Sequence, residues 1–136
     1  FSEEIIFQTG RKNIINSVKN IKQIEYINEI EEVFLKTKFI ICRSGASTVA
    51  ELQTYAMPAI FIPILNSIDD HQTINAKNAC KNGGGIYLSE KNFSEDLFLK
   101  KITSFYNSDL NKRSKSMYND IHKDAASRIA DEIKQN

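Results

Sequence analysis

Apolar residues along this chain fall into two alternating rhythms, short β-rich runs and stretches with helical spacing. Glu4 to Gln8 reads as a strand, closed by Thr9-Gly10, and Arg11 to Lys19 as a helix with Ile14, Ile15 and Val18 on one face. Ile21 to Ile27 reads as a second strand. Glu29 to Thr37 reads as a short helix carrying Ile30, Val33 and Phe34. Lys38 to Cys42 is a continuous apolar run of the kind buried on both faces of a parallel sheet. A helix over Ser47–Tyr55 stops ahead of Pro58, and Ala59 to Pro63 is another apolar strand. Asp70 to Lys81 reads as a helix terminated by Asn82-Gly83-Gly84, and Gly85 to Leu88 as the fifth strand. Two helices, Ser94–Tyr106 and Asp109 to about Ile133, close the chain.

Five strands alternating with helices predict one α/β domain over residues 1–136, a doubly wound parallel sheet. No repeat or linker interrupts it. Ligands in such sheets bind beyond the carboxyl ends of the strands. The loops that matter are therefore Thr9-Gly10, Ile27-Asn28, Arg43 to Ser47 and Ile64 to Asp70.

Composition narrows the function classes. A formal net charge of +1, from 18 basic and 17 acidic residues, supplies no global field for nucleic acid. No apolar run approaches the roughly 20 residues of a membrane span, and no signal peptide is visible. Cys42 and Cys80 form no CxxC pair and read as two reduced thiols of a cytosolic protein. His71 and His122 share no metal-ligand spacing. The mixed charges between Asn107 and Lys123 read as a solvated helix, with a membrane-surface patch as the alternative.

Two stretches can carry chemistry. In Cys42-Arg43-Ser44-Gly45-Ala46-Ser47-Thr48-Val49-Ala50-Glu51 a buried strand enters a small-residue turn and then a helix. Such a helix start presents unpaired N–H groups and a positive dipole end, suited to a diphosphate. Gly45 lets backbone approach a ligand, and Ser44, Ser47 and Thr48 add hydroxyls. Glu51 has two readings. Its carboxylate can accept both hydrogen bonds of a ribose diol, or Thr48-Val49-Ala50-Glu51 is a T-x-x-E capping box. In Asp69-Asp70-His71-Gln72-Thr73-Ile74-Asn75-Ala76, Asp70 can cap the next helix, and Gln72 and Asn75 share one face able to bind sugar hydroxyls. His71 reads more readily as a surface or cap residue than as a catalyst.

Together these motifs resemble the C-terminal domain of the MurG family of UDP-N-acetylglucosamine transferases, two-domain inverting enzymes of glycosyltransferase family 28 with the GT-B architecture. The resemblance rests on the Cys-Arg-Ser-Gly-Ala-x-Thr-Val-x-Glu run at 42–51, on Pro58 and Pro63, and on Asp70-His71-Gln72-x-x-Asn75-Ala76. The glycines at 83–85, Gln8-x-Gly10 and Tyr26-Ile27 add to it. It implies a substrate-binding set of Ile27, Arg43, Ser44, Gly45, Ala46, Ser47, Thr48, Val49, Ala50, Glu51, His71, Gln72 and Asn75. In that set Ile27 holds uracil through its backbone, Ala46 to Glu51 line the nucleotide with Glu51 on the ribose, and Gln72 with Asn75 contacts the N-acetylglucosamine.

The implied reaction is metal-independent displacement at the anomeric carbon, with no cofactor. Its partners are UDP-N-acetylglucosamine and, through an acceptor-binding N-terminal domain, the lipid-linked peptidoglycan precursor. The implied location is cytoplasmic, peripheral on the inner face of the plasma membrane. The family's glycine-rich loop and acceptor domain precede the region matched here, so the 136 residues alone are expected to be a donor-binding module, with no catalytic residue assigned. The alternatives are another UDP-sugar enzyme with the same half-domain (a glycolipid synthase, a nucleotide-sugar hydrolase or a split-transferase subunit) and a non-catalytic remnant.

Overall fold

The computed structural model describes residues 3–11, 16, 18–65, 70–120 and 124–135. The chain divides into two compact units, Phe1–Lys36 and Thr37–Asn136. In the first, β1 (Ile5–Gln8) and β2 (Ile21–Ile24) pair in parallel, Ile5 opposite Ile21 and Gln8 opposite Ile24. Gly10 ends this segment with a left-handed φ of 68°, a conformation glycine adopts without a Cβ clash. β2 stops three residues earlier than the apolar run suggested, which puts Tyr26 and Ile27 in the loop beyond its carboxyl end. Helix α1 (Ile30–Lys36) follows, with Glu31 and Glu32 in its first turn and Lys36 in its last, complementing its dipole. The helix expected over Arg11–Lys19 falls largely on residues 12–15 and 17, outside the described residues.

The second unit holds a three-stranded parallel sheet in the order β3 (Ile40–Cys42), β4 (Ala59–Phe61), β5 (Gly85–Tyr87). The ladder runs on past the strand ends, from Ile40 N–H to the Pro58 carbonyl at 3.0 Å and from Ile62 N–H to the Cys42 carbonyl at 2.8 Å. Central β4 is buried throughout, as a strand sandwiched on both faces must be. β3 departs from that expectation. It is an edge strand of this sheet, and Ile41 is 39% exposed.

Helix α2 (Ala46–Thr54) connects β3 to β4, and α3 (His71–Cys80) connects β4 to β5. α2 ends in a Schellman arrangement without glycine: Ala56 takes φ 53°, and the Met57 and Ala56 N–H groups return to the Leu52 and Gln53 carbonyls. After β5 come a single 3-10 turn (Glu90–Asn92), α4 (Glu95–Tyr106), α5 (Leu110–Met117) and α6 (Ala125–Gln135). Ser94 and Asp109 cap α4 and α5, accepting from the Leu97 and Lys112 N–H groups. The apolar face of α4 closes the core, where Phe105 meets Ile60 and Leu88 and stands edge-on to Phe39 at 5.3 Å.

The long final helix expected from Asp109 is two helices. No proline or glycine breaks it. Instead Tyr118 turns extended, at φ −56° and ψ 131°, and the Asn119 N–H bonds the Gln53 carbonyl on α2. That break seats buried Met117 against the Gly84-Gly85 backbone. A Cβ on Gly84 would lie 2.6 Å from the Met117 backbone nitrogen and Cα, a clash that only a shift of α5 relieves. Gly84→Ala is therefore expected to destabilise the fold by about 1–3 kcal/mol, the usual range for overpacking. Chemical denaturation of the variant beside wild type measures it.

Candidate functional site

The site is built where β3 and β4 end and α2 and α3 begin. Gly45 is the N-cap of α2, with φ −60° and ψ 150° and no side-chain cap hydrogen bond. The first helical bond runs from Val49 N–H to the Gly45 carbonyl at 3.0 Å, so the N–H groups of Ala46, Ser47 and Thr48 lie ahead of the ladder. A Cβ at Gly45 would meet only Thr48 Oγ1, at 3.9 Å. Neither its dihedrals nor its packing requires glycine there, and the space a Cβ would take is otherwise open.

This geometry removes the capping-box reading of the Thr48–Glu51 run. A capping box needs Thr48 at the N-cap, but the helix begins at Ala46 and Thr48 is already inside it. Glu51 sits in the second turn, exposed, and its carboxylate has no partner among the described residues. Asp70 likewise occupies the N-cap position of α3 without a side-chain cap bond. Its φ of 54° places it in the left-handed region, tolerated by aspartate at a cost of order 1 kcal/mol.

The two helix starts are joined by Ser44. Its side chain is fully buried, and its hydroxyl donates to the Gln72 carbonyl at 2.8 Å. Asn75 Nδ2 donates in return to the Ser44 carbonyl at 3.1 Å. Ser44 therefore braces the site from beneath, whereas Ser47 is exposed on the first turn of α2. Gln72 Oε1 accepts from the Ile64 N–H at 3.1 Å, which fixes the amide's orientation and leaves its Nε2 donors without a partner among the described residues. His71, exposed, is the first residue of α3.

Arg43 leaves the end of β3 and turns to the loop after β4. Its Nη1 donates to the carbonyls of Ile62, at 2.9 Å, and Pro63, at 3.3 Å, and lies 2.5 Å from Glu90 Oε1. Glu90 Oε2 accepts from the Leu65 N–H at 3.3 Å. The hydrogen bond from Arg43, then that from Leu65, hold the Glu90 carboxyl below the usual glutamate range against a smaller opposing effect of desolvation. This pairing is present above the ordinary glutamate range and is lost only as pH falls through the lowered value. Nothing in the sequence marks Glu90, because its partners lie 47 and 25 positions away.

The structure thus brings Arg43 to Glu51 together with Gln72 and Asn75. Ile27 belongs to the first unit, where it borders a cavity of about 420 Å³ with Ile6, Ile24, Tyr26 and Val33. A second cavity, of about 480 Å³, lies within the second unit between Pro63–Leu65 and the Thr73 and Lys77 side of α3. Residues 66–69, part of the loop singled out by sequence, and His122 lie outside the described residues. Among the described residues, no three His, Cys, Asp or Glu side chains cluster as metal ligands, and no helix is long and apolar enough to cross a membrane.

The two cysteines are chemically quiet. Burial pushes the Cys42 thiol up to about 12, and pushes Cys80 up to about 11 despite the opposing charge of Arg113. At pH 8 both are therefore thiols, and alkylation by iodoacetamide in the folded protein is expected to run at least tenfold slower than for a free cysteine. Mass spectrometry of a timed labelling reaction checks this. The brace has its own test. Ser44→Ala should lower stability by about 0.5–1.5 kcal/mol, the worth of one hydrogen bond, whereas Glu51→Ala should change it by less than about 0.5 kcal/mol. Denaturant titration of the pair distinguishes them.

Residues 2–133 match the family model described as the glycosyltransferase family 28 C-terminal domain. A curated relative from Ruminiclostridium cellulolyticum, the UDP-N-acetylglucosamine–N-acetylmuramyl-(pentapeptide) pyrophosphoryl-undecaprenol N-acetylglucosamine transferase, is 33% identical over 143 residues, covering 96% of this chain and 39% of the relative. The protein of the same name from Francisella philomiragia is 32% identical over 145 residues, covering 98% of this chain and 39% of its own length. Among solved structures, Acinetobacter baumannii MurG shares the fold with a TM-score of 0.84 at 23% identity, covering 98% of this chain and 41% of that one. The glycotransferase of kitacinnamycin does so with a TM-score of 0.73 at 15% identity, over 97% of this chain and 34% of that one. The chain therefore spans about two fifths of the length of the curated relatives it matches.

Proposed function

The chain belongs to glycosyltransferase family 28, through that family's C-terminal domain, and from this premise we propose that it is the UDP-N-acetylglucosamine-binding half of the transferase that adds N-acetylglucosamine to undecaprenyl-pyrophosphoryl-MurNAc-pentapeptide. One observation carries the reading: the α2 helix start has no side-chain cap, is open above Gly45, and is braced by Ser44 against the α3 turn that bears Gln72 and Asn75. A nucleoside diphosphate-sugar needs that pair of features, a fixed positive pole for the diphosphate and neutral amides for the sugar hydroxyls. The names of the curated relatives supply the donor and acceptor.

In this reading residues 1–136 are one nucleotide-sugar-binding domain. Ile27 offers its backbone to uracil. Arg43, Ser44 and Gly45 form the turn that presents Ala46 to Val49 to the diphosphate, and Ala50 and Glu51 continue the same face, the Glu51 carboxylate accepting from the ribose diol. His71 flanks the sugar, which Gln72 Nε2 donates to and the Asn75 side-chain Oδ1 accepts from. The acceptor hydroxyl attacks the anomeric carbon as the bond to the diphosphate oxygen breaks, and this chain stabilises the UDP that leaves. Placing and deprotonating the acceptor falls to a partner domain on the cytoplasmic face of the plasma membrane.

Calorimetry tests the donor. UDP-N-acetylglucosamine should bind more tightly than ADP- or GDP-sugars, and equal heats for all three would refute the reading. Glu51→Gln should weaken UDP binding about tenfold or more, the loss of a charge-assisted hydrogen bond, with an unchanged melting temperature. Radiolabelled sugar transfer to a lipid-linked muramyl-peptide tests the half-enzyme. The chain alone should give no turnover, with activity appearing when an acceptor domain is added, and robust turnover by the chain alone would contradict the division of labour.

A further inference from the structure

We propose that Glu90 is a positioning residue for the sugar end of the donor site, acting through Arg43 and the loop after β4 without touching the donor. The proposal rests on the donor-binding reading given above, and it concerns what holds Gln72 in place. The Ile64 N–H, bonded to Gln72 Oε1 at 3.1 Å, fixes the direction in which the Nε2 donors would meet a sugar. Ile64 belongs to a four-residue stretch, Ile62 to Leu65, that has left the β4 ladder after Ile62.

Arg43 and Glu90 grip that stretch on both sides of Ile64. The Arg43 guanidinium takes the carbonyls of Ile62 and Pro63, and the Glu90 carboxylate takes the N–H of Leu65. The two side chains then close on each other at 2.5 Å. Three consecutive strand ends, those of β3, β4 and β5, are tied by one ion pair. A carboxylate suits the position because one oxygen must meet a guanidinium while the other accepts from an amide N–H. Ser89 holds the turn that presents it, its hydroxyl accepting from the Lys91 N–H at 3.3 Å. The chain of contacts therefore runs from Glu90 to Arg43 and Leu65, to Ile64, and to the side-chain amide of Gln72.

The consequence is selective. Glu90 supports the loop that orients Gln72, and the α2 helix start that would meet the diphosphate is braced separately by Ser44. Loss of Glu90 should weaken the sugar-dependent part of affinity and spare the nucleotide-dependent part.

The experiment titrates UDP and UDP-N-acetylglucosamine separately into wild type, Glu90→Ala and Glu90→Gln, with a melting temperature for each. Glu90→Ala should lower UDP-N-acetylglucosamine affinity about fivefold to tenfold, the worth of one lost hydrogen bond, and leave UDP within about twofold. Glu90→Gln, which keeps the side-chain oxygen and its reach, should restore part of the difference. Equal losses for both ligands, or a fall in melting temperature that accounts for the loss, would make Glu90 a structural residue only and overturn the proposal. So would a wild-type preference for the UDP-sugar that persists in both variants. A wild-type chain that binds neither ligand would instead overturn the donor-binding reading, and this proposal with it.

Discussion

Ser44 has no solvent exposure, yet it is polar at both ends: its hydroxyl donates to the Gln72 carbonyl and its own carbonyl receives the Asn75 amide. A buried hydroxyl is tolerated only when paired, and this one is paired across two helix starts, to a residue 28 positions away in sequence. The rest of the site depends on that brace. It sets where the uncapped N–H groups of α2 stand relative to the first turn of α3. The sheet beneath supplies the rigidity, since β4 is buried throughout and ties β3 to β5.

Around the brace, polar groups divide between holding and offering. Ser44, the Gln72 oxygen, the Asn75 nitrogen and one Arg43 nitrogen are engaged inside the protein. The Glu51 carboxylate and the Gln72 nitrogen have no partner among the described residues. The amide of Gln72 shows the logic in one group: its oxygen is spent on backbone so that its nitrogen has a defined direction. In the proposed donor site, such a fixed amide would be preorganised for substrate placement. The Arg43–Glu90 pair extends the network outward to the strand ends, and elsewhere Arg113 lies over Phe105 and donates to the Gly83 carbonyl.

The position of Glu51 shows how far a local pattern can mislead. Thr48-x-x-Glu51 has the spacing of a capping box, and the pattern is silent on where the helix begins. The helix starts two residues before Thr48, with Gly45 as its N-cap in an extended conformation beside buried Ser44. Asp70 is the same lesson in reverse, an obvious cap residue at the cap position that makes no side-chain cap bond, with a left-handed backbone.

Much of the element order was legible in the period of the apolar residues. The alternation of apolar runs and helical spacings was enough for five parallel strands and their helices, because burial imposes those periods wherever the element packs. The small-residue turn at 43–47 and the Gln72–Asn75 spacing are short-range features, so the sequence could single them out as candidates, and the fold links them through Ser44. Only the tertiary structure decided the rest. It split the helix expected from Asp109, because the Asn119 N–H reaches the Gln53 carbonyl 66 positions earlier and Met117 seats on Gly84. It turned Ser44 inward, and it introduced Glu90, whose partners Arg43 and Leu65 are brought to it by the parallel order of three strands. Contacts between residues so far apart leave no periodic trace in the chain, since nothing in the spacing of one strand records which strand will lie beside it.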